Sequence, residues 1–312
     1  MLTLFTTPKP FLGHSKVIQK NALTSWTKLH PEIEVILFGD EAGAVEIAEE
    51  LGLRHEPAVE RDTKGNKRLD CMFRTVQKMA RHDVLCYVNC DIVLMRDFLA
   101  AVERVRAEQA HFLIVGRRWD ADITQPLNFE QPDWEPELCD FAKTHGKQRS
   151  AAWIDYFAFS RGLYGEELPA FVVGRVFWDN WLVWRARKSK STVVDASESV
   201  VAVHQNHDYG YHPQGKDGVF HGEESGRNYE LAGGWRHLRT IEDATHVLCA
   251  DGIKPNPKRH VSAVKRYARQ VGRVLLYRML QPVWFLVLNI SRPLRDVFGL
   301  RGAATRRTRG KA

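Results

Sequence analysis

An asparagine and an aspartate, Asn89 and Asp91, interrupt an otherwise apolar run, DVLCYVNCDIVL over 83–94. A carboxylate at the end of a strand among apolar neighbours is costly unless it is paired or holds a cation. Mg2+ and Mn2+ prefer hard oxygen ligands, take one or two from protein, and leave the remainder to substrate phosphates and water. Asp91 suits that chemistry; the alternative is a carboxylate that caps the next segment or pairs with an arginine. Two more acids stand where hydroxyl chemistry needs them: Asp155 in WIDYF, and Asp179 in the first turn of the helix expected from VFWDNWLVWRARK (176–188). A helix N-terminus positions a carboxylate but also lowers its pKa, so Asp179 serves as a base only where neighbouring aromatics desolvate it. Three histidines cluster in HQNHDYGYH (204–212). His204 and His207 offer two ligands to zinc, yet no partner motif accompanies them.

The elements that must hold these groups follow from periodicity. LTLFTT (2–7) reads as a strand stopped by PKPF, and from Ser15 the run KVIQKNALTSWTKL reads as a helix with Val17, Ile18, Ala22, Trp26 and Leu29 on one face. EVILFGD (34–40) predicts a strand, and EAGAVEIAEELG (41–52) a helix closed by Gly52. ERDTKGNKR (60–68) is loop-like, DCMFRTVQKMARH (70–82) helical, and VLCYVNCDIVL (84–94) a single strand. A helix from Arg96 and a strand HFLIVG (111–116) complete the alternation. Alternating strands and helices imply right-handed crossovers and a mostly parallel sheet flanked by helices. Ligands gather at the carboxyl ends of such strands, where TTPK, FGDE, NCDI and GRRWD all fall. Beyond that, 117–150 reads as loop with a short helix, 153–164 as a strand, 191–209 as one or two strands, and 210–235 as a flexible loop.

Of the 312 residues, 44% are hydrophobic and 27% charged, enough for a proper core. The five cysteines contain no C-x-x-C pair, which argues against a disulfide framework and for a reducing compartment. MLTLFTTPKPF lacks the pattern of a secretory signal. Residues 254–312 hold 15 Lys/Arg against one acid, Asp296; they carry +14 of a chain whose net charge is +7, so the first 253 residues are net −7. An acidic body with a basic tail argues against a specific nucleic-acid binder.

The stretch ARHDVLCYVNCDI (80–92) resembles the segment around the D-x-D motif of GT-A fold glycosyltransferases, in particular family 2-like bacterial members, with Asn89 in the first acidic position. LTLFTT followed by a helix resembles their first nucleotide-binding strand, which implies Thr6 and Thr7 near the nucleotide. FGD (38–40) matches a strand end whose acid, here Asp40, contacts the base. WDNW (178–181) is similar to their x-E-D motif, and His204 falls where a last metal ligand is supplied. The resemblance covers roughly residues 2–210 in order. It implies a GT-A-like α/β sandwich and transfer of a sugar from a nucleotide-diphosphate donor, a UDP-sugar being the commonest case, to a saccharide or lipid-linked acceptor. It further implies a divalent metal (Mn2+ or Mg2+) on Asp91 and His204, with Asn89 beside the nucleotide and Arg68, Lys67 or Lys9 as auxiliary charge. Asp179 then takes the acceptor proton, while Trp153, Asp155, Arg117 and Trp178 contact substrate, with Arg118, Asp120 and Asp122 close to the donor sugar. His207 and Asp208 are expected in a mobile flap. Trp178, Trp181 and Trp184 recur every third position, a pattern more typical of core than of a sugar platform. Two other readings remain: a sugar-nucleotide nucleotidyltransferase, although no Gly-rich loop follows the first strand, and a catalytically inactive membrane-associated scaffold, which Asn89 keeps open.

The expected organisation is a catalytic domain over 1–250 (nucleotide half 1–120, acceptor half 120–250), a basic amphipathic extension over 251–300 and a disordered basic tail over 301–312. Residues 257–280 carry Val261, Val264, Ala268, Val271 and Leu275 at helical spacing among basic residues, and VWFLVLNI (283–290) is too short to span a bilayer. Such a segment suits the surface of an anionic leaflet, or packing on a protein. Those features predict a cytoplasmic protein, peripheral on the inner face of a membrane.

Overall fold

The computed structural model describes residues 1–210 and 212–261, with 263, 264, 267, 268 and 272 beyond them. The chain divides into two units, Met1–Arg259 and His260–Ala312. The first opens with β1 (Leu2–Thr6), α1 (Gly13–Thr27), β2 (Glu34–Phe38), α2 (Ala44–Leu51) and β3 (Arg54–Glu56). Pro8 and Pro10 cannot donate to a ladder and end β1. Gly52, left-handed at φ 64°, closes α2 by donating its N–H to the carbonyls of Ala48 and Glu49. Next come α3 (Leu69–Met79), β4 (Val84–Val88), β5 (Ile92–Val93), α4 (Arg96–Glu108), β6 (Phe112–Val115), β7 (Arg118–Ala121), α5 (Trp134–His145) and β8 (Lys147–Gln148). The remaining elements are β9 (Tyr156–Ser160), α6 (Trp178–Lys188), β10 (Thr192–Asp195), β11 (Ala202–Gln205), α7 (Gly215–His221), α8 (Glu223–Leu231), β12 (His246–Cys249) and β13 (Gly252–Pro255).

Among the described residues, nine strands form one sheet in the order β13-β12-β10-β6-β9-β4-β1-β2-β3, and four form a second, β5-β11-β7-β8. In the large sheet β3, β2, β1 and β4 are parallel, as are β6, β10 and β12; β9 runs antiparallel between β4 and β6. The mostly parallel α/β sandwich expected from the alternation is the fold observed. Strand residues alternate between its faces. Leu4, Leu37 and Cys86 join a core with Trp26 of α1, Ile47 of α2 and Phe98 of α4, whereas Phe5, Phe38 and Tyr87 meet Phe73 of α3 and Trp181 of α6. Phe73 is central to the second core. Its ring stacks on Phe159 at 5.5 Å and meets Phe5 edge-on at 5.0 Å, and such pairs add about 0.5–1.5 kcal/mol beyond burial.

The structure corrects three expectations. Residues 84–94 do not make one strand. The Asn89 N–H donates to the Asp155 carbonyl and the Asn89 carbonyl accepts from Ile92 N–H, so the chain turns and passes from the large sheet into the small one. The stretch 117–150 contains, besides the expected helix (α5), the strands β7 and β8, because the short β7 is stabilised by pairing with distant β11 rather than by local pattern. Within 210–235, expected as a flexible loop, Gly215–His221 and Glu223–Leu231 form α7 and α8; Asn228 ties α8 down, its Oδ1 accepting from Val172 N–H and its Nδ2 donating to the Val172 carbonyl.

The basic amphipathic segment expected over 257–280, the run 283–290 and the tail 301–312 lie almost wholly outside the described residues. Of the positions described there, Val261, Val264 and Tyr267 are exposed. Among the described residues, no helix is long and apolar enough to cross a membrane.

Candidate active site

A cavity of about 490 Å³ opens where β1, β2 and β4 end, lined among others by Thr7, Lys9, Glu41, Lys67, Asn89 and Asp91. Strand register brings the rest of the site to it. β9 runs beside β4 with Tyr156 opposite Val88, which sets Asp155 against Asn89. β11 pairs with β5 and β7, placing His204 opposite Ile92 and Asp120. Asp179 enters from the first turn of α6, immediately after Phe177, whose backbone is left-handed at φ 86°. That conformation is strained for a residue with a side chain, and strain of this kind concentrates at functional sites.

Asp91 is the hub. His207 Nε2 is 3.1 Å and His204 Nε2 3.9 Å from its Oδ2, and Lys9 Nζ is 3.1 Å from the same His207 nitrogen. Its other oxygen, Oδ1, is buried without a hydrogen-bond partner. Burial pushes the Asp91 carboxyl upward, but His204, His207 and Lys9 outweigh it and hold the group well below the usual carboxylate range. The two imidazoles share one arrangement. His207 Nδ1 is 2.6 Å from the Asp208 carbonyl and His204 Nδ1 3.4 Å from Asp120 Oδ1, so both turn Nε2 toward Asp91. Asp91, His204 and His207 place one ligand atom each within 4.8 Å of one another.

A network of fixed charge flanks this centre. Arg118, itself buried, reaches Asp120 Oδ1 at 2.9 Å and Asp155 Oδ2 at 2.7 Å, and Arg149 reaches Asp120 Oδ2 at 2.5 Å. Burial raises Asp120, but His204, Arg118 and Arg149 bring it down to about 2. On the β1 side Lys67 Nζ lies 2.6 Å from both the Pro8 carbonyl and Glu41 Oε1. Burial lowers Lys67 and Lys9 from the ordinary lysine value; Glu41 offsets this at Lys67 and Asp91 at Lys9.

Asp179 is in the opposite electrostatic condition. Burial pushes its carboxyl up to about 7 and the charge of Asp155 adds to that, against the backbone N–H groups at the helix start, and its Oδ1 has no hydrogen-bond partner. Burial therefore outweighs the helix N-terminus. Trp153 stands nearby with the Arg118 and Arg149 guanidinium carbons 5.1 and 5.2 Å from its ring centre. Phe220 of α7 lies 5.6 Å from Trp153 and 5.8 Å from Tyr209, so three partly exposed rings make an aromatic wall.

Several residues singled out in the sequence line the cavity: Thr7, Lys9, Lys67, Asn89, Asp91, Arg118, Trp153, Asp155, Trp178, Asp179 and His204. Others are placed elsewhere. Thr6 is fully buried within β1. The Asp40 carboxylate is exposed and held by Arg61 Nη2 at 2.5 Å; Glu41, one residue on, faces the cavity instead. Arg68 is engaged by Asp70 and Glu60. Arg117 lies outside the lining, its N–H donating to Ser197 Oγ, and Asp122 is exposed and accepts from Asn206. Trp178 is 4% exposed, packed edge-on to Tyr87, and Trp181 is core, while Trp184 stacks on His237. His207, expected in a flap with Asp208, contacts Asp91 directly. Its place beside His204 in HQNH was the one signal for it. Nothing local marked Arg149, Tyr209 or Phe220, which reach the site only through tertiary contacts.

No family model and no curated protein matches the chain. Solved structures do. One is Staphylococcus aureus TarS 1–349, at 11% identity and TM-score 0.44, covering 65% of this chain and 60% of that one. Another is glucosyl-3-phosphoglycerate synthase from Mycobacterium tuberculosis in complex with Mg2+ and uridine diphosphate, at 15% and 0.40, covering 66% and 72%. A third is the mannosyltransferase PcManGT from Pyrobaculum calidifontis in complex with GDP-Man and Mn2+, at 15% and 0.42, covering 68% and 59%. The chain thus spans about 60% of the TarS and PcManGT chains. At such identities these likenesses decide nothing about chemistry, which rests on the side chains of the cavity.

Proposed function

We propose that this chain is a glycosyltransferase that moves a sugar from a nucleoside-diphosphate sugar to an acceptor hydroxyl. One observation carries the reading: a single cavity holds both a cation-ready cluster, Asp91 with His204 and His207, and a desolvated carboxylate, Asp179, whose proton affinity is near neutral. Sugar transfer needs both, because a diphosphate leaves as an anion while a hydroxyl gives up a proton.

The donor set suits a divalent cation. Asp91 Oδ1 is buried and unpartnered, and both imidazoles turn Nε2 toward Asp91, His207 with its Nδ1 on the Asp208 carbonyl as ligating histidines are oriented. Asp91, His204 and His207 would hold a divalent ion, Mn2+ in preference to Mg2+ because two of the three donor atoms are imidazole nitrogens, and the ion, when bound, supplies positive charge to the leaving diphosphate. Lys9 and Lys67 add fixed positive charge at the same wall. Asp179 Oδ1 accepts the acceptor proton as the oxygen bonds to the anomeric carbon and the phosphate oxygen departs with the bonding pair. The outcome is inversion at that carbon. Trp153, Phe220 and Tyr209 offer ring faces to a pyranose, and Asp155 is placed beside Trp153 on the same wall. A UDP-sugar is the donor of first choice and a saccharide or lipid-linked hydroxyl the acceptor.

The basic stretch 257–290 is read as a contact with an anionic membrane surface on the cytoplasmic side, on the strength of its charge and apolar spacing. Sedimentation with phosphatidylglycerol vesicles, lost at high salt, tests that part.

Calorimetric titration of UDP and GDP with and without Mn2+, on wild type and Asp91→Ala, tests the main reading. Metal-dependent binding of one diphosphate that vanishes in the variant is expected. Absence of nucleotide binding under every metal condition would refute it.

A further inference from the structure

Asn89 stands where a second acid would be expected beside Asp91, and the structure shows what its amide does. Asn89 Nδ2 donates to Asp155 Oδ1 at 2.5 Å, and Arg118 holds the other oxygen of that carboxylate, Asp155 Oδ2, at 2.7 Å. The backbones are locked as well, since Asn89 N–H donates to the Asp155 carbonyl at 2.9 Å. The carboxylate is therefore gripped from both sides on the cavity wall. Charge is balanced across this group: Arg118 and Arg149 face Asp120 and Asp155. A carboxylate at position 89 would leave one negative charge in excess and set two anionic oxygens at hydrogen-bond distance, where one donor now sits.

We propose that Asn89 is a positioning residue for Asp155: with Arg118 it fixes the Asp155 carboxylate in the cavity, and position 89 is an amide because its partner is an acid. This rests on the glycosyltransferase reading only for what Asp155 then does, which is to face substrate hydroxyls and the neighbouring Asp179. The pairing itself is a property of the fold. It opposes the simpler idea that Asn89 is a weakened metal ligand which an aspartate would restore.

The two ideas predict opposite results for Asn89→Asp. As an ion-ligand position, Asn89→Asp tightens Mn2+ and leaves the metal-free protein unperturbed, and Asp155 is irrelevant to the outcome. As a partner of Asp155, Asn89→Asp lowers the metal-free melting temperature by about 2–6 °C and does not tighten Mn2+. The exchange variant Asn89→Asp/Asp155→Asn, which again pairs one amide with one carboxylate at unchanged charge, recovers most of the loss. The experiment is a thermal melt of wild type, both single variants and the exchange variant without metal, then Mn2+ titration of each followed by water-proton relaxation. Recovery in the exchange variant is the readout that a merely local packing defect would not give. An exchange variant no more stable than Asn89→Asp overturns the pairing, as does an Asn89→Asp protein of wild-type stability that binds Mn2+ more tightly. Should Asn89→Asp fail to fold, a folded exchange variant supports the proposal and an unfolded one overturns it. If wild type binds no Mn2+, the metal reading fails while the metal-free cycle still decides the pairing.

Discussion

His207 Nε2 lies 3.1 Å from Asp91 Oδ2, across 116 residues of chain, while its Nδ1 lies 2.6 Å from the Asp208 carbonyl. A carbonyl only accepts, so Nδ1 carries a proton in this arrangement. In the neutral ring Nε2 then presents a lone pair toward a carboxylate, so the contact calls for positive charge, either a proton on Nε2 itself or a cation beside the two atoms. Lys9 Nζ supplies some, at 3.1 Å from Nε2. A divalent ion would supply more.

His207→Ala should weaken Mn2+ binding by about tenfold or more, and His204→Ala likewise, the scale on which groups around a metal centre act. Calorimetry on the two variants measures it. Wild-type affinity in His207→Ala would remove that residue from the ligand set and leave it as a contact for Lys9.

Asp179 carries the kinetic prediction. With its carboxyl raised to about 7 by burial and by Asp155, the ionised base is scarce in acid, so kcat/KM should rise with pH and level off above about 7. Asp179→Asn should lose about 10²–10⁴-fold in kcat and lose that limb. A variant retaining the limb would place the base elsewhere.

The same group makes stability depend on pH in the opposite sense. Between its ordinary value of 3.8 and about 7 the folded protein holds a proton that the unfolded chain has released. Stability from this group is therefore full below about 4, falls as pH rises through 7 and is flat above it, with a ceiling of ~4 kcal/mol. Denaturant melts at pH 5 and pH 8 should differ less in Asp179→Asn than in wild type, and that variant should be the more stable protein at pH 8.

Phe73 tests the fold apart from the site. It is fully buried against Phe5, Tyr87, Phe159 and Tyr164. Phe73→Ala should cost about 3–5 kcal/mol, read by urea denaturation, with Phe73→Leu retaining much of the stability.

Much of the scaffold was legible in the chain. The alternation of β1, α1, β2, α2, α3 and β4 follows from local apolar periodicity, from the prolines after β1 and from Gly52, all of which act over a few residues. Asp91 stood out because a lone acid in an apolar run has few inexpensive roles, and Asp179 because it opens a helix among tryptophans. Local pattern misread 84–94 as one strand, since the turn at Asn89 is stabilised by Asp155, 66 residues away. The resemblance pointed to Asp40 at the end of β2, whereas the cavity is lined by Glu41, because neighbours in sequence at a strand end point in different directions.

What the sequence by itself determined was which residues alternate, where the chain must turn and which few groups are chemically expensive. Tertiary structure alone decided that His207 meets Asp91, that Asn89 serves Asp155 and that burial outweighs the helix N-terminus at Asp179. These depend on the register of β11 against β5 and of β9 against β4, and on how deeply α6 is covered. The physical reason is range: propensity and capping act between residues a few positions apart, whereas desolvation and charge pairing are set by whatever the folded chain brings within a few ångströms.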